Sequence, residues 1–388
     1  MPVKKTVLLR APLLSMSGYG VHARQIFRWL EKKNDVNLYV DIVPWGITSW
    51  YVNPDSLDGL VGRIMSKSTK TNEKIDVAFS LQLPNEWSRI DGAVNVGMSA
   101  GVETDRANPE WVQSCNMMDH VVFPSQYALS GIMKSGNLLK PSHVVPESFT
   151  DKILTATKGL DLPEIETETN FLMVGQVTGF TPESDRKCIF HTVKWFSEAF
   201  AGRNDVGLII KSNLGTNCVY HRGQVRDLFK KLLAEVRTGT LPRVYLLNGE
   251  MSEDDMSALY RSKKVSALLS LTRGEGFGLP ILEAAASGLP VIATNHSAHT
   301  EFLKQGKFIA VDYKMVPVAG ERIDGKIFMN GSMWAMPDEN DAKKRMKKFV
   351  ESQHTPKEWA IDLQNKIRIS HSSKAIESVY DRELGFLL

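Results

Sequence analysis

With 388 residues, 43% hydrophobic and 23% charged, the chain has the composition of a globular protein long enough for two domains. A formal charge of +3 falls short of the concentrated positive charge of a dedicated nucleic-acid binder. Its three cysteines, Cys115, Cys188 and Cys218, are too scattered and odd in number for a disulfide framework or a zinc site, so a reducing, cytoplasmic setting is expected.

The opening segment MPVKKTVLLRAPLLSMS has a basic start but a short apolar run, which reads as a first strand and loop rather than a secretory leader. Apolar runs then alternate with amphipathic stretches, predicting strands at Thr6 to Arg10, Asn37 to Ile42, Val77 to Leu81, Ala93 to Met98 and His120 to Phe123. The rhythm stops at LTATKGLDLPEIETET, residues 154 to 169, which is polar, interrupted by proline and without period, and reads as an interdomain linker. A second series follows at Asn170 to Val174, Gly207 to Lys211, Arg243 to Leu247, Ala267 to Ser270 and Val291 to Ala293. The fold class is therefore α/β, with two doubly wound domains in tandem, about 1–155 and 165–367. Ligands of such domains bind beyond the C-terminal strand ends, so a cleft between them is the expected seat of chemistry. No segment approaches the roughly 20 apolar residues of a membrane span.

The most specified stretch is TRGEGFGLPILEAAASGLPVIAT, residues 272 to 294. Pro280 suits the first turn of a helix and Gly288 its C-terminal cap, giving strand, loop, helix, strand. Glu275 then falls in the loop and Glu283 in the first turns of the helix. The amides of Gly276, Phe277, Gly278 and Leu279 lie at the positive helix end, which suits a phosphate. Carboxylates beside a phosphate site suit neutral hydroxyls, and phosphate flanked by hydroxyls describes a nucleotide sugar. In that arrangement Glu283 takes ribose hydroxyls and Glu275 takes the sugar.

GEGFGLPILEA, with its glutamates eight positions apart, closely resembles the signature of the retaining GT-B glycosyltransferases, most of all glycosyltransferase family four, the group 1 glycosyl transferases. Residues 98 to 136, with Glu103 before the PEWV segment and DHVVFPS after it, are similar to the family's first domain. FLMVGQVTGFTPESDRKCIFHTVKWFSEAF, LIIKSN, LLNGEMSEDDMSALYRS and the segment WAMP also fit. The resemblance implies two Rossmann-like domains facing across a cleft and a C-terminal helix, about 368–388, returning to the first. It implies a UDP- or GDP-linked donor, a hydroxyl acceptor on a glycan or lipid-linked glycan, retention of configuration, and no required cofactor or divalent metal. Arg186 and Lys187 become the cations for the leaving diphosphate. Family members place an arginine directly after the glycine of the first strand of the second domain, and here Gln176 stands there.

Several residues keep two readings. Glu103 either orients the acceptor or its proton, or is a surface acid before a helix. Lys211 either reaches the donor or is a surface lysine after a strand. Trp45, Trp50 and Tyr51, in the irregular segment VPWGITSWYVNP, either stack on the acceptor or form a cluster beneath a loop. Glu253 to Asp255 complement a helix dipole rather than bind metal, and His296 and His299 read as loop residues. GYGVHA, residues 18 to 23, satisfies a dinucleotide fingerprint with Asp41 about 20 residues on, so an NAD-dependent dehydrogenase is an alternative. However, APLLSMS separates the strand from Gly18, and Gly18 and Gly20 better suit close approach of the backbone to the donor diphosphate or acceptor. Arg63, Lys67, Lys70 and Lys74 keep open a DNA acceptor, a hydroxymethylated pyrimidine of viral DNA, and Gln176 keeps open a non-catalytic nucleotide-sugar-binding scaffold.

Overall fold

The structure is a computed structural model and describes residues 4–388. It divides into two compact units, Met1–Ser148 with Ser373–Leu388, and Phe149–Ser372.

The first unit runs β1 (Lys5–Ala11), α1 (Gly18–Glu31), β2 (Val36–Ile42), α2 (Leu60–Lys67), β3 (Val77–Leu81), β4 (Val94–Met98), α3 (Pro109–Met117), β5 (His120–Phe123), α4 (Gln126–Met133) and β6 (Ser142–Val144). Its strands form one parallel sheet in the order β2-β1-β3-β4-β5-β6. Val7, Leu9, Phe79, Val96 and Met98 bury apolar side chains that the helices cover, as a parallel sheet requires. Gly20 is fixed by packing inside α1: a Cβ there would stand 1.9 Å from the Ser15 carbonyl oxygen.

The second unit runs α5 (Lys152–Thr155), β7 (Thr169–Val174), α6 (Ile189–Ala199), β8 (Val206–Ser212), α7 (Val219–Val236), β9 (Arg243–Asn248), α8 (Glu253–Tyr260), β10 (Ala267–Ser270), α9 (Leu279–Ala286), β11 (Val291–Thr294), α10 (His299–Leu303), β12 (Ile309–Val311), β13 (Tyr313–Pro317), β14 (Met333–Pro337), α11 (Glu339–Glu351) and α12 (His354–His371). The parallel sheet is ordered β12-β11-β10-β7-β8-β9. Strand β7 therefore lies between β8, its successor, and β10, which comes much later in the chain. The order reverses between β7 and β10, and the loops leaving those two strands flank a topological switch point, where open α/β sheets bind ligands.

The α/β class and the tandem doubly wound sheets are as the sequence predicts, and each predicted strand lies within a residue or two of an observed one. The polar stretch 154–169 belongs to the second unit: Leu162 and Ile165 enter its core, as does Ile153 just before it, and the chain crosses between units at Ser148. The C-terminal segment is two helices. Ser372 is extended, ending α12, and α13 (Ser373–Leu384) joins the first unit. There Tyr380 stacks on Trp29 at 4.8 Å, and Trp29 Nε1 donates to Asp381 at 2.7 Å. Strands β6 and β12, and the antiparallel hairpin of β13 and β14, are additions to the predicted set. Each of the two parallel strands has only three residues, too few for periodicity to register, and β13 is largely exposed.

Candidate active site

The loop from β7 to α6 carries Arg186 and Lys187, and a buried acid, Asp185, shapes it. Its carboxylate accepts from the Lys187 amide and the Thr178 hydroxyl, each at 3.0 Å, and from the Ile189 amide at the start of α6. Burial nevertheless pushes the Asp185 carboxyl above its ordinary range. Cys188, buried, adopts a left-handed φ of 57° as the chain turns into the helix.

Across the switch point, the loop from β10 to α9 carries Glu275. Gly278, at φ 104°, caps α9, and a Cβ at that position would stand 3.1 Å from His299 Cβ. Only glycine combines that backbone with that proximity. Pro280 lies in the first turn, and Ile281, Leu282 and Ala284 to Ala286 face the core. The amides at a helix start have no intrahelical acceptor, so those of the cap Gly278 and of Leu279 mark the electropositive end of α9, with Phe277 just before them.

Glu275 and the two cations form one cluster. Lys187 Nζ lies 2.6 Å from Glu275 Oε1, and Arg186 NH1 lies 3.3 Å from Oε2 while also donating to the Gly274 carbonyl at 2.7 Å. All three side chains are largely buried. Burial alone would raise the Glu275 pKa; the charges of Lys187 and Arg186 outweigh it and hold the carboxyl at about 2. Glu275 is therefore ionised at neutral pH, and its two cations are turned onto it.

Glu283, on α9, has the opposite electrostatics. Burial, aided by the Glu253 charge, raises its pKa to about 7, and Tyr260 donates a hydroxyl to Oε2 at 3.2 Å. Lys211, at the end of β8, is buried rather than on the surface. Its Nζ donates to the Gly249 carbonyl at 2.6 Å, and desolvation lowers its pKa. The acids 253 to 255 sit at the start of α8, with Ser252 and Asp255 in a capping box. Gln176 is exposed in the loop after β7.

Further residues of the second unit shape this site. Arg273 is buried, with its guanidinium 4.9 Å from the centre of Trp334 and a bond to the Pro182 carbonyl at 2.8 Å. Its amide donates to the Arg186 carbonyl at 2.9 Å, so it ties the Glu275 loop to the cation loop. His299 is fully buried instead of lying free in a loop. The signals available in sequence were an acid directly before the basic pair and a histidine shortly after the motif strand.

In the first unit, Tyr19 gathers three predicted residues' loops. It follows Gly18 at the exposed start of α1 and stacks on Trp45 at 3.7 Å. Its hydroxyl meets Ser99 Oγ and the Ala100 amide, both at 3.0 Å, in the loop that leads to Glu103. Burial raises the Tyr19 pKa well above its ordinary value, with Glu103 among the charges adding to the shift. Tyr51 lies under the Arg24 guanidinium at 5.2 Å, whereas Trp50 is 37% exposed, so the three aromatics do not form one face. Gly20 packs its backbone on Ser15, whose carbonyl oxygen leaves no room for a Cβ. Asp41, the acid the dinucleotide fingerprint would need, is paired to Arg10 at 2.7 Å, and residues 12 to 17 separate β1 from α1. Arg63 of the basic run is paired with Glu31 at 3.1 Å.

Two doubly wound units of this kind define the GT-B fold, and solved structures confirm the class. The sucrose-phosphate synthase of Thermosynechococcus elongatus is 12% identical with a TM-score of 0.66, covering 99% of both chains. Anabaena HepE, solved in complex with UDP and glucose, is 13% identical with a TM-score of 0.60, over 98% of this chain and 99% of that one. WaaG, a glycosyltransferase involved in lipopolysaccharide biosynthesis, is 13% identical with a TM-score of 0.60, over 98% and 100%. Residues 226–362, from α7 into α12, match the family described as Glycosyl transferases group 1. That segment contains Glu275 and Glu283, and its match is to the group 1 glycosyl transferases that GEGFGLPILEA resembles. No curated protein matches the chain. Among the described residues no helix is long and apolar enough to cross a membrane, and no group of three or more potential metal ligands is found.

Proposed function

We propose that the protein is a retaining glycosyltransferase that moves a sugar from a UDP- or GDP-linked donor to a hydroxyl acceptor. The observation that carries the reading is the clasp of Glu275 by Arg186 and Lys187 at the switch point, beside the electropositive start of α9. Departure of a nucleoside diphosphate concentrates negative charge on phosphate oxygens, which fixed cations and amides stabilise without reorganising. Arg186, Lys187 and the amides of Gly276 to Leu279 are the donors for that charge. Ionised Glu275 accepts from sugar hydroxyls and faces the positive charge that develops on the sugar. Glu283, steered by Tyr260, takes the ribose hydroxyls, and Lys211 supports the donor side through the Gly249 turn. The UDP in HepE motivates the choice of donor.

The first unit supplies the acceptor side. Gly18, Glu103, Trp45 and exposed Trp50 are the groups proposed to meet it, with Tyr51 as support beneath Arg24. A glycan or lipid-linked glycan is the proposed acceptor class, and the proposed chemistry draws on protein donors instead of a divalent metal. The test is a calorimetric binding screen against UDP-, GDP-, ADP- and CMP-linked sugars and their free nucleotides. Each donor that binds is then incubated alone and with hydroxyl acceptors, with NMR assignment of the product anomer. Selective binding, release of nucleoside diphosphate and retained configuration are expected. Absence of binding to every nucleotide sugar and diphosphate would refute it.

A further inference from the structure

We propose that Ser297 and His299 are positioning residues that aim Glu275, and that Ser297 is held in a strained backbone for this purpose. The proposal rests on the reading of Glu275 as the carboxylate that meets the transferred sugar. Ser297 is not glycine, yet it has φ 74° at a buried position immediately after β11. Residues in that conformation persist where surrounding contacts over-determine them, and here the contacts converge on one residue, Glu275. The Glu275 amide donates to Ser297 Oγ at 3.0 Å, and the Glu275 carbonyl accepts from the Ala298 amide at 3.3 Å. Both ends of the Glu275 residue are thus held by consecutive residues of one turn.

His299 sets the direction of the relay. Its Nε2 lies 2.7 Å from the Thr294 carbonyl, which can only accept, so Nε2 carries the proton. Nδ1 is then an acceptor, 3.2 Å from Ser297 Oγ. The serine hydroxyl gives its proton to Nδ1 and turns a lone pair to the Glu275 amide. Desolvation lowers the His299 pKa and keeps the ring neutral, as this arrangement requires. Thr300 Oγ1, donating to the Ser297 carbonyl at 2.8 Å, locks the far side of the turn. Lys187 and Arg186 hold the carboxylate end of Glu275; the relay holds its backbone end.

The test compares Ser297→Gly, Ser297→Ala, His299→Asn and His299→Leu by hydrogen–deuterium exchange of peptides covering 272–280, by melting temperature, and by nucleoside diphosphate release from UDP-glucose and GDP-mannose. Glycine relieves the strain while removing the hydroxyl. Ser297→Gly should therefore melt close to the wild type, while exchange at Glu275 accelerates and kcat falls about tenfold or more, with KM little changed. Ser297→Ala, which keeps the strain, should lose stability as well. His299→Asn, whose Oδ1 can replace Nδ1 as acceptor, should recover part of the kcat that His299→Leu loses. Unchanged exchange at Glu275 in Ser297→Gly would overturn the proposal, as would a kcat that falls only in step with melting temperature or not at all. If the wild type releases no diphosphate from these two donors or from any other donor of the binding screen, the glycosyltransferase reading fails, and the exchange result by itself still decides whether the clamp exists.

Discussion

Replacing Glu275 by glutamine removes one negative charge from between two largely buried cations, and the effect on stability follows from the pKa of that carboxyl. It stands at about 2 against an ordinary 4.5. A carboxyl depressed by this much contributes stability that is complete above about pH 4.5 and is lost as pH falls toward 2. At 1.36 kcal/mol per pKa unit, the contribution at pH 7 is about 3 kcal/mol, falling to about 2 kcal/mol at pH 3.5. For a unit of this size roughly 2–4 °C accompanies each kcal/mol, so Glu275→Gln should melt about 6–12 °C below the wild type at pH 7. Scanning calorimetry of both proteins at pH 7 and pH 3.5 measures the gap, which should narrow with acid. In the variant, Arg186 and Lys187 no longer face a carboxylate and are open to an anion. Inorganic pyrophosphate should therefore raise the melting temperature of Glu275→Gln more than that of the wild type. Donor turnover should fall in the same variant, because the group facing the sugar is gone. A gap below about 2 °C at pH 7, or pyrophosphate stabilising the wild type more, would refute the electrostatic account of the cluster.

Glu283 should give the opposite pH response. Its carboxyl is raised to about 7, so its contribution is complete below about pH 4.5 and lost as pH rises through 7. Glu283→Gln should therefore be the more stable protein above pH 7, by up to about 3 kcal/mol, and the two should converge toward pH 5 in calorimetry; its nucleotide binding should weaken at pH 8. Gly20→Ala should lose about 1–3 kcal/mol in urea unfolding, because its Cβ collides with the Ser15 carbonyl. Gly18→Ala meets nothing within 4 Å, and should leave stability within about 0.5 kcal/mol while lowering acceptor affinity; unchanged affinity would remove Gly18 from the acceptor side. Trp334→Ala should cost about 3–5 kcal/mol and raise hydrogen exchange in 182–188, because Arg273 loses the indole beneath it while still bonded to the cation loop.

The sequence conveyed what is local or periodic. Parallel strands buried on both faces read as short apolar runs, which is why Val77–Leu81, His120–Phe123 and Ala267–Ser270 were recoverable to the residue. The turn from β10 into α9 was legible because glycine, proline and alanine each carry a backbone preference that needs no tertiary information. Lys211 shows where such reasoning stops. A lysine at a strand end is ordinarily solvated, and only its bond to Gly249, from the neighbouring strand's exit loop, explains its burial. The same holds for the hairpin of β13 and β14, whose glycine-rich interval 318 to 332 hides the pairing of Tyr313 with Pro337.

The pairing of Glu275 with Lys187 spans 88 residues and that with Arg186 one more, and neither local pattern contains it. It follows from topology. The chain leaves β7 toward β8 and β9, then returns to lay β10 on the other side of β7, so the loops after β7 and β10 flank one point on the sheet edge. Asp185 orients the basic pair in one loop, and Gly278 lets the other approach His299. A cation pair and a carboxylate, each unremarkable in its own segment, thereby become one charged cluster at the site where an α/β sheet offers a ligand its crevice. The unusual chemistry of Glu275, a buried carboxylate held ionised by two partners, is thus a consequence of strand order as much as of residue type.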